Sequence, residues 1–205
     1  TLTLELLGGF RLRLGDRQIT LRTRKAEAGV AYLAFAQRPF SREEAAAFFW
    51  PDSEPEQAAA NLRKLLSELR HSLADYLHIN RQTISLNPAA QVWLDAAEFA
   101  RLAAVAQPEA VAAAVSLYHG DFLAGFYLRD SYPFDEWATL ERERHQQLML
   151  HSLRHLVSHH FHQGTYAGAL PHIWRWLALD PLAEPAHRLA MRLHARQGHR
   201  SRALA

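Results

Sequence analysis

Along this chain the apolar positions change period, and each change marks an element. Between residues 54 and 73 they fall at Ala58, Leu62, Leu65, Leu66, Leu69 and Leu73, a stripe at helical spacing that predicts an amphipathic helix. Pro55 near its start, with Asp52 or Ser53 as the cap, fits the usual start signals. The opposite surface carries Gln57, Arg63, Lys64, Ser67, Arg70 and His71. These side chains can donate hydrogen bonds to base edges and phosphates. Ala60 among them is small enough to let a partner approach the backbone. Taken alone, such a surface is most simply a solvated face, so the neighbouring elements have to decide.

Ahead of that helix the period is two. Residues 3–7 alternate weakly, Gly8-Gly9 interrupt, and residues 10–14 alternate clearly as F-R-L-R-L. Gly15-Asp16 signals a turn and residues 18–21 a third short strand, so the opening is a small antiparallel sheet. Thr23 then caps a helix whose apolar content is Ala28, Val30, Ala31, Leu33, Ala34 and Phe35, ending at Arg38-Pro39. Ser41 with Glu44 three residues on forms a capping box for the next helix, which stops at Pro51. After residue 73, the runs 77–80 and 83–87 read as a hairpin, with Ile79, Ile84 and Leu86 inward and Arg81 at an exposed tip. A last short strand over 91–94 can close the sheet.

Strands, three helices and a hairpin follow the order of a winged helix, whose third helix enters the major groove while the hairpin touches backbone or minor groove. In that arrangement helix 54–73 is a recognition helix, with Arg63, Lys64, Ser67, Arg70 and His71 facing DNA and Arg81 on the wing. The corner of Arg22, Arg24 and Lys25 before the first helix can lie beside the phosphate backbone.

From residue 95 onward the pattern is helical. Residues 96–106 and 109–118 form alanine-rich helices parted by Gln107-Pro108, and 119–130, rich in glycine and aromatics, reads as a loop. A long helix follows from about residue 134 to 156 or on to 162, ended by Gly164. Gly164, Ala169 and Leu170 recur as Gly198, Ala203 and Leu204, an offset of 34 residues, which is the tetratricopeptide period. Tyr166, Ala169, Leu170, Ile173, Leu177 and Leu179 are expected to face inward, against Ala186, Leu189, Ala190 and Leu193 of the next helix. Such helix pairs bury their seam by stacking. The fold class is therefore mainly α with small antiparallel sheets: a winged helix over 1–95, then an all-α helical array over 96–205.

Composition adds bounds to this picture. With 205 residues, 49% hydrophobic and 21% charged, the chain is long enough for one large domain or two small ones, each with its own core. No cysteine excludes disulfides, thiol catalysis and Cys-based zinc sites, and suits a reducing cytoplasm. No apolar run approaches the roughly 20 residues of a membrane span. A net charge of only +2 promises modest attraction to phosphate. The absent initiator Met and a C-terminus inside a helical pattern read as a piece of a longer protein, with the array cut short at its end.

LLGGFRLRLGD (6–16), FWPDSEPEQAAANLRKLLSELRHSL (49–73), YHGDFLAGFYLRDSYPFDEWATLERER (118–144) and LALDPLAEPAHRLAMRLHARQGHRSRAL (177–204) together resemble the Streptomyces antibiotic regulatory protein family. That family joins an OmpR-like winged helix to a bacterial transcriptional activator domain of tetratricopeptide repeats. The resemblance implies a transcription activator that binds promoter direct repeats and contacts RNA polymerase; the weak net charge in turn calls for homodimerisation on DNA, or a further domain, for tight binding. It carries Arg63, Lys64, Ser67 and Arg70 onto the base- and phosphate-facing positions and Arg81 onto the wing. It also implies that the loop of Trp50, Pro51, Asp52, Ser53 and Glu54 meets polymerase. Glu68 departs from the pattern, standing where many relatives carry a basic residue.

Other chemistry is thinly represented. His151, His155 and His159 share a helix face, but no carboxylate or cysteine in that run completes a metal site. Asp135, Glu136, Glu141 and Glu143 alternate with Arg142, Arg144 and His145 as a charged helix surface. With no glycine-rich phosphate loop and no nucleophile motif, neither an enzyme nor a cofactor is expected. Trp174 and Trp176, two apart on a helix, cannot both face the core. The rival to a cytoplasmic DNA-binding activator is a protein-interaction adaptor that works through its repeats and whose winged helix binds no DNA.

Overall fold

The computed structural model describes residues 1–36 and 38–196. They form two compact units: Thr1–Glu98 with His119–Glu143, and Phe99–Tyr118 with the chain from Arg144 onward. The mainly α class with small sheets at the N-terminal end is as expected.

In the first unit, β1 (Leu2–Glu5), β2 (Arg11–Leu14) and β3 (Arg17–Gln18) form an antiparallel meander. Leu2, Leu4 and Leu12 point into the core while Arg11 and Arg13 stay exposed, as period-two alternation requires. The third strand covers only two residues, shorter than its sequence run, and Leu21 beyond it is buried. The run at 91–94 does close the sheet: β7 (Val92–Leu94) lies parallel to β1, with Leu4 opposite Leu94. Between these strands come α1 (Arg24–Ala36), β4 (Phe40–Ser41), α2 (Arg42–Phe49) and α3 (Pro55–Leu73), then the hairpin β5 (Leu77–Ile79) and β6 (Thr83–Leu86). The two-residue β4 pairs with β6, a bridge too short for any periodicity to announce.

Helix starts follow local chemistry. The Ser41 hydroxyl accepts from Glu44 N at 3.0 Å and the Glu44 carboxylate accepts from Ser41 N at 2.9 Å, completing the capping box. Thr23 Oγ1 accepts from Ala26 N at the start of α1. At α3 the cap differs from expectation. Neither Asp52 nor Ser53 serves; the N-cap is Glu54, with no side-chain cap bond. Pro55 at the first helical position has no N–H to satisfy, which leaves fewer open donors there.

Residues 119–131 are a loop, and they complete the first unit from far along the sequence. Leu123 N donates to Leu6 O at 2.7 Å, Gly8 N to Asp121 O, and Leu7 bridges Phe122. Gly8, at φ 109°, is needed here, since a Cβ on it would stand 3.2 Å from His119 Cβ. Phe122 and Phe134 are fully buried, and Phe122 sits edge-on to Phe35 and Trp137. Phe122 of the Gly120–Leu123 run and Trp137 beside Glu136 thus serve one aromatic core.

The second unit is helical: the end of α4 (Asp95–Ala103), α5 (Pro108–Leu117), the later part of α6 (Tyr132–His162), α7 (Tyr166–Leu179) and α8 (Glu184–Arg196). α6 runs unbroken for 31 residues, and Gly164, at φ 68°, supplies the left-handed residue after its end. Ala169 and Ile173 of α7 are buried, as are Ala186, Ala190 and Leu193 of α8. Trp176 takes the inward place beside them at 4% exposure and Leu177 is only half-buried, while Trp174 turns out at 52%. The second copy of the repeat, Gly198, Ala203 and Leu204, lies outside the described residues.

Candidate nucleic-acid interface

The six apolar positions of α3 are all buried, so its polar face is fixed outward by packing. On that face Arg63, Lys64, Ser67 and His71 are exposed, and none has a side-chain hydrogen bond or ion pair among the described residues. Arg81 is likewise exposed, at the tip of the β5–β6 hairpin. Four basic groups and a hydroxyl therefore stand unpaired around one helix and one turn.

The hairpin tip is firmly built. Asn80 Oδ1 accepts from Gln82 N at 2.8 Å and Thr83 N at 2.7 Å, a side-chain turn of the kind asparagine favours. Arg42 at the start of α2 braces it, donating from Nε to Asn80 O at 2.9 Å and from its backbone N to Gln82 O at 2.8 Å. Arg70 Nη2 donates to Ile79 O at 3.0 Å and so ties α3 to the hairpin. Arg70 thus holds the wing against the helix.

Two further cations of the sequence reading are also engaged. Lys25 is 15% exposed at its side chain. Its ammonium donates to Phe49 O at 2.7 Å and Asp130 Oδ2 at 2.8 Å, and lies 4.6 Å from the Trp50 ring centroid. Arg24 reaches Tyr127 O at 3.4 Å and stacks 5.0 Å over Phe126. Both fasten the 126–130 loop to α1. Trp50, Pro51 and Ser53 of the loop before α3 are half-buried, whereas Asp52 and Glu54 are exposed; Ser53 N donates to Trp50 O and tightens the turn.

Glu68 has a structural task. Its carboxylate accepts from Arg22 N, Thr23 N and Thr23 Oγ1, anchoring the start of α1 on α3. That placement uses much of its charge locally. Arg42, Asn80 and Arg129 carry no assignment from the sequence, and Glu68 is marked there only as a departure from the family pattern; of the four, only Asn80, in a turn between two strands, carries a local structural signal. The His151, His155 and His159 face is partly solvated, and no three metal-ligating side chains converge among the described residues. No helix among them is long and apolar enough to cross a membrane.

The model of the family described as "Bacterial transcriptional activator domain" matches residues 90–205. A solved structure, Mycobacterium tuberculosis EmbR in complex with low affinity phosphopeptide, is similar to 99% of this chain at a TM-score of 0.72 and 18% identity. The chain spans 57% of the length of that structure, and the likeness is one of fold. No curated protein matches.

Proposed function

The chain belongs to the bacterial transcriptional activator domain family, and from that premise we propose that it binds double-stranded promoter DNA in a sequence-specific way and contacts RNA polymerase. The resemblance to the Streptomyces antibiotic regulatory proteins is borne out by the family match and the fold, and the chain is a transcriptional regulator of that type. In this reading residues 1–95 hold the DNA and 96–205 act as the regulatory or interaction module. Its place of action is the bacterial cytoplasm, at the chromosome.

One observation carries the DNA reading. Arg63, Lys64, Ser67 and His71 on α3, and Arg81 on the hairpin, have no side-chain partner among the described residues, while Lys25, Arg42 and Arg70 are held by structural bonds. Unpaired Arg and Lys on one helix face suit bidentate guanine contacts and phosphate neutralisation. An adaptor has no use for them together. Two copies on a promoter direct repeat would double the contact. The exposed Asp52 and Glu54 beside Trp50, Pro51 and Ser53 are offered to polymerase.

The test is selection from a randomised duplex pool at two salt concentrations. Enrichment of a short direct repeat, with affinity falling steeply in salt, is expected. Arg63→Ala should then cost about 1–3 kcal/mol and relax one base position. A pool that returns no motif would overturn the reading in favour of the adaptor. Replacing Asp52 and Glu54 with Ala should leave operator binding intact and lower transcription in a reconstituted assay.

A further inference from the structure

The 127–130 loop lies within the stretch matched by the activator-domain model, yet it folds with the winged-helix unit. It borders a groove of about 660 Å³ whose other wall is α3, so that Arg129 and Lys64 line the same depression. A second depression of about 470 Å³ is lined by Lys64 again, with Arg22, Ser67 and His71. Lys64 therefore joins two hollows, with Arg129 on one side and Arg22 on the other. Both arginines are exposed and their guanidinium groups have no partner among the described residues.

Helix phase fixes which flank this is. Glu68, which lines both hollows, and Arg70, which bonds the hairpin, are two residues apart on α3, roughly 200° around a helix of 3.6 residues per turn. The hairpin thus occupies one flank of the polar face and the Arg22–Lys64–Arg129 band the other. The acidic groups that also line the hollows are bound elsewhere: Glu68 to the start of α1, Asp130 to Lys25. Arg22, Lys64 and Arg129 are the side chains left without a partner among the described residues, alongside the recognition face.

We infer that Arg129 and Arg22, with Lys64 between them, bind the DNA phosphate backbone on the flank of α3 opposite the wing, so that the loop after the winged helix completes the DNA interface. This rests on the DNA-binding reading above. Spaced exposed cations beside a reading helix fix register on the duplex and carry no base information.

The experiment uses the full chain with the selected operator and an unrelated duplex, comparing wild type, Arg129→Ala, Arg22→Ala, Arg129→Lys and Arg63→Ala across a salt series. Each of the first two variants should weaken binding about fivefold to tenfold at 0.1 M salt on both duplexes, and lower the log–log salt slope by about one. Arg129→Lys should keep the slope, and thermal melts should match wild type. If Arg129→Ala leaves the slope unchanged, or lowers affinity only with a shifted melt, the inference is wrong. Arg63→Ala still relaxing specificity would show the underlying reading intact in that case. If wild type itself selects no sequence and binds without salt dependence, the DNA reading fails and this inference with it.

Discussion

The Lys25 ammonium sits 2.8 Å from Asp130 Oδ2, joining residues 105 apart in sequence, and the same nitrogen donates to Phe49 O at the end of α2. One cation therefore ties α1, α2 and the 126–130 loop. The two ends of the pair differ in exposure, 15% for Lys25 and 69% for Asp130. Asp130→Asn should consequently cost less than about 1 kcal/mol, as exposed ion pairs do. Lys25→Met also strips the donor from the Phe49 carbonyl, and should cost about 1–3 kcal/mol. Urea denaturation of the two variants, followed by tryptophan fluorescence, checks the order; equal losses would refute it.

Glu68 makes opposite demands on stability and binding. Its three accepted bonds hold residues 22 and 23 at the start of α1, and charge-assisted bonds at a helix N-terminus are worth about 1–2 kcal/mol in total. Its charge also lies beside Lys64 in both hollows. Glu68→Gln should lower the melting temperature and raise DNA affinity on every duplex alike. A variant that melts lower with unchanged affinity would show that the local bonds consume the whole charge.

The periodic parts of this fold were legible and the long-range parts were not. Ala58, Leu62, Leu65, Leu66, Leu69 and Leu73 are the buried positions of α3 because a 3.6-residue period admits a single inward face. Trp174 and Trp176 show by spacing that one must turn outward, but not which one: the buried ring is that of Trp176, with Arg154 of α6 4.9 Å over it. The 119–131 loop was readable as a loop; its pairing with Leu6, Leu7 and Gly8 is made more than 110 residues away and leaves no local trace. In the same way sequence marks Arg70, Arg24 and Lys25 as cations without saying that backbone carbonyls lie within their reach.

Asp95 is the buried carboxylate on which the N-terminal sheet depends. It is 3% exposed and accepts from Leu6 N at 2.8 and 2.9 Å and from Leu7 N at 2.9 Å, where β1 gives way to the turn. Asp95→Ala would take the acceptor from the N–H groups of Leu6, Leu7 and Ala96, and a buried donor left unmet costs about 1–3 kcal/mol. A loss of about 2–5 kcal/mol in the winged-helix transition is expected. Differential scanning calorimetry measures it, and a loss below that of Asp130→Asn would show that water replaces the carboxylate.

His172 gives the second unit a defined pH dependence. Burial, then the neighbouring His160 and Arg175 charges, holds its pKa below the ordinary 6.5. The two imidazoles stack at 5.7 Å and 19°, and His160 Nδ1 is fixed 2.8 Å from Thr165 Oγ1. In this window the unfolded chain takes up a proton that folded His172 refuses. The stability it contributes is therefore complete above about pH 6.5 and is lost as pH falls through that value toward the lower folded one. His172→Phe keeps an aromatic ring on His160 and removes the titration. Urea melts at half-unit steps from pH 7.5 to 5.5 should show wild-type stability falling more steeply than the variant's. Parallel curves would mean that His172 is protonated as easily in the folded protein as in the unfolded chain.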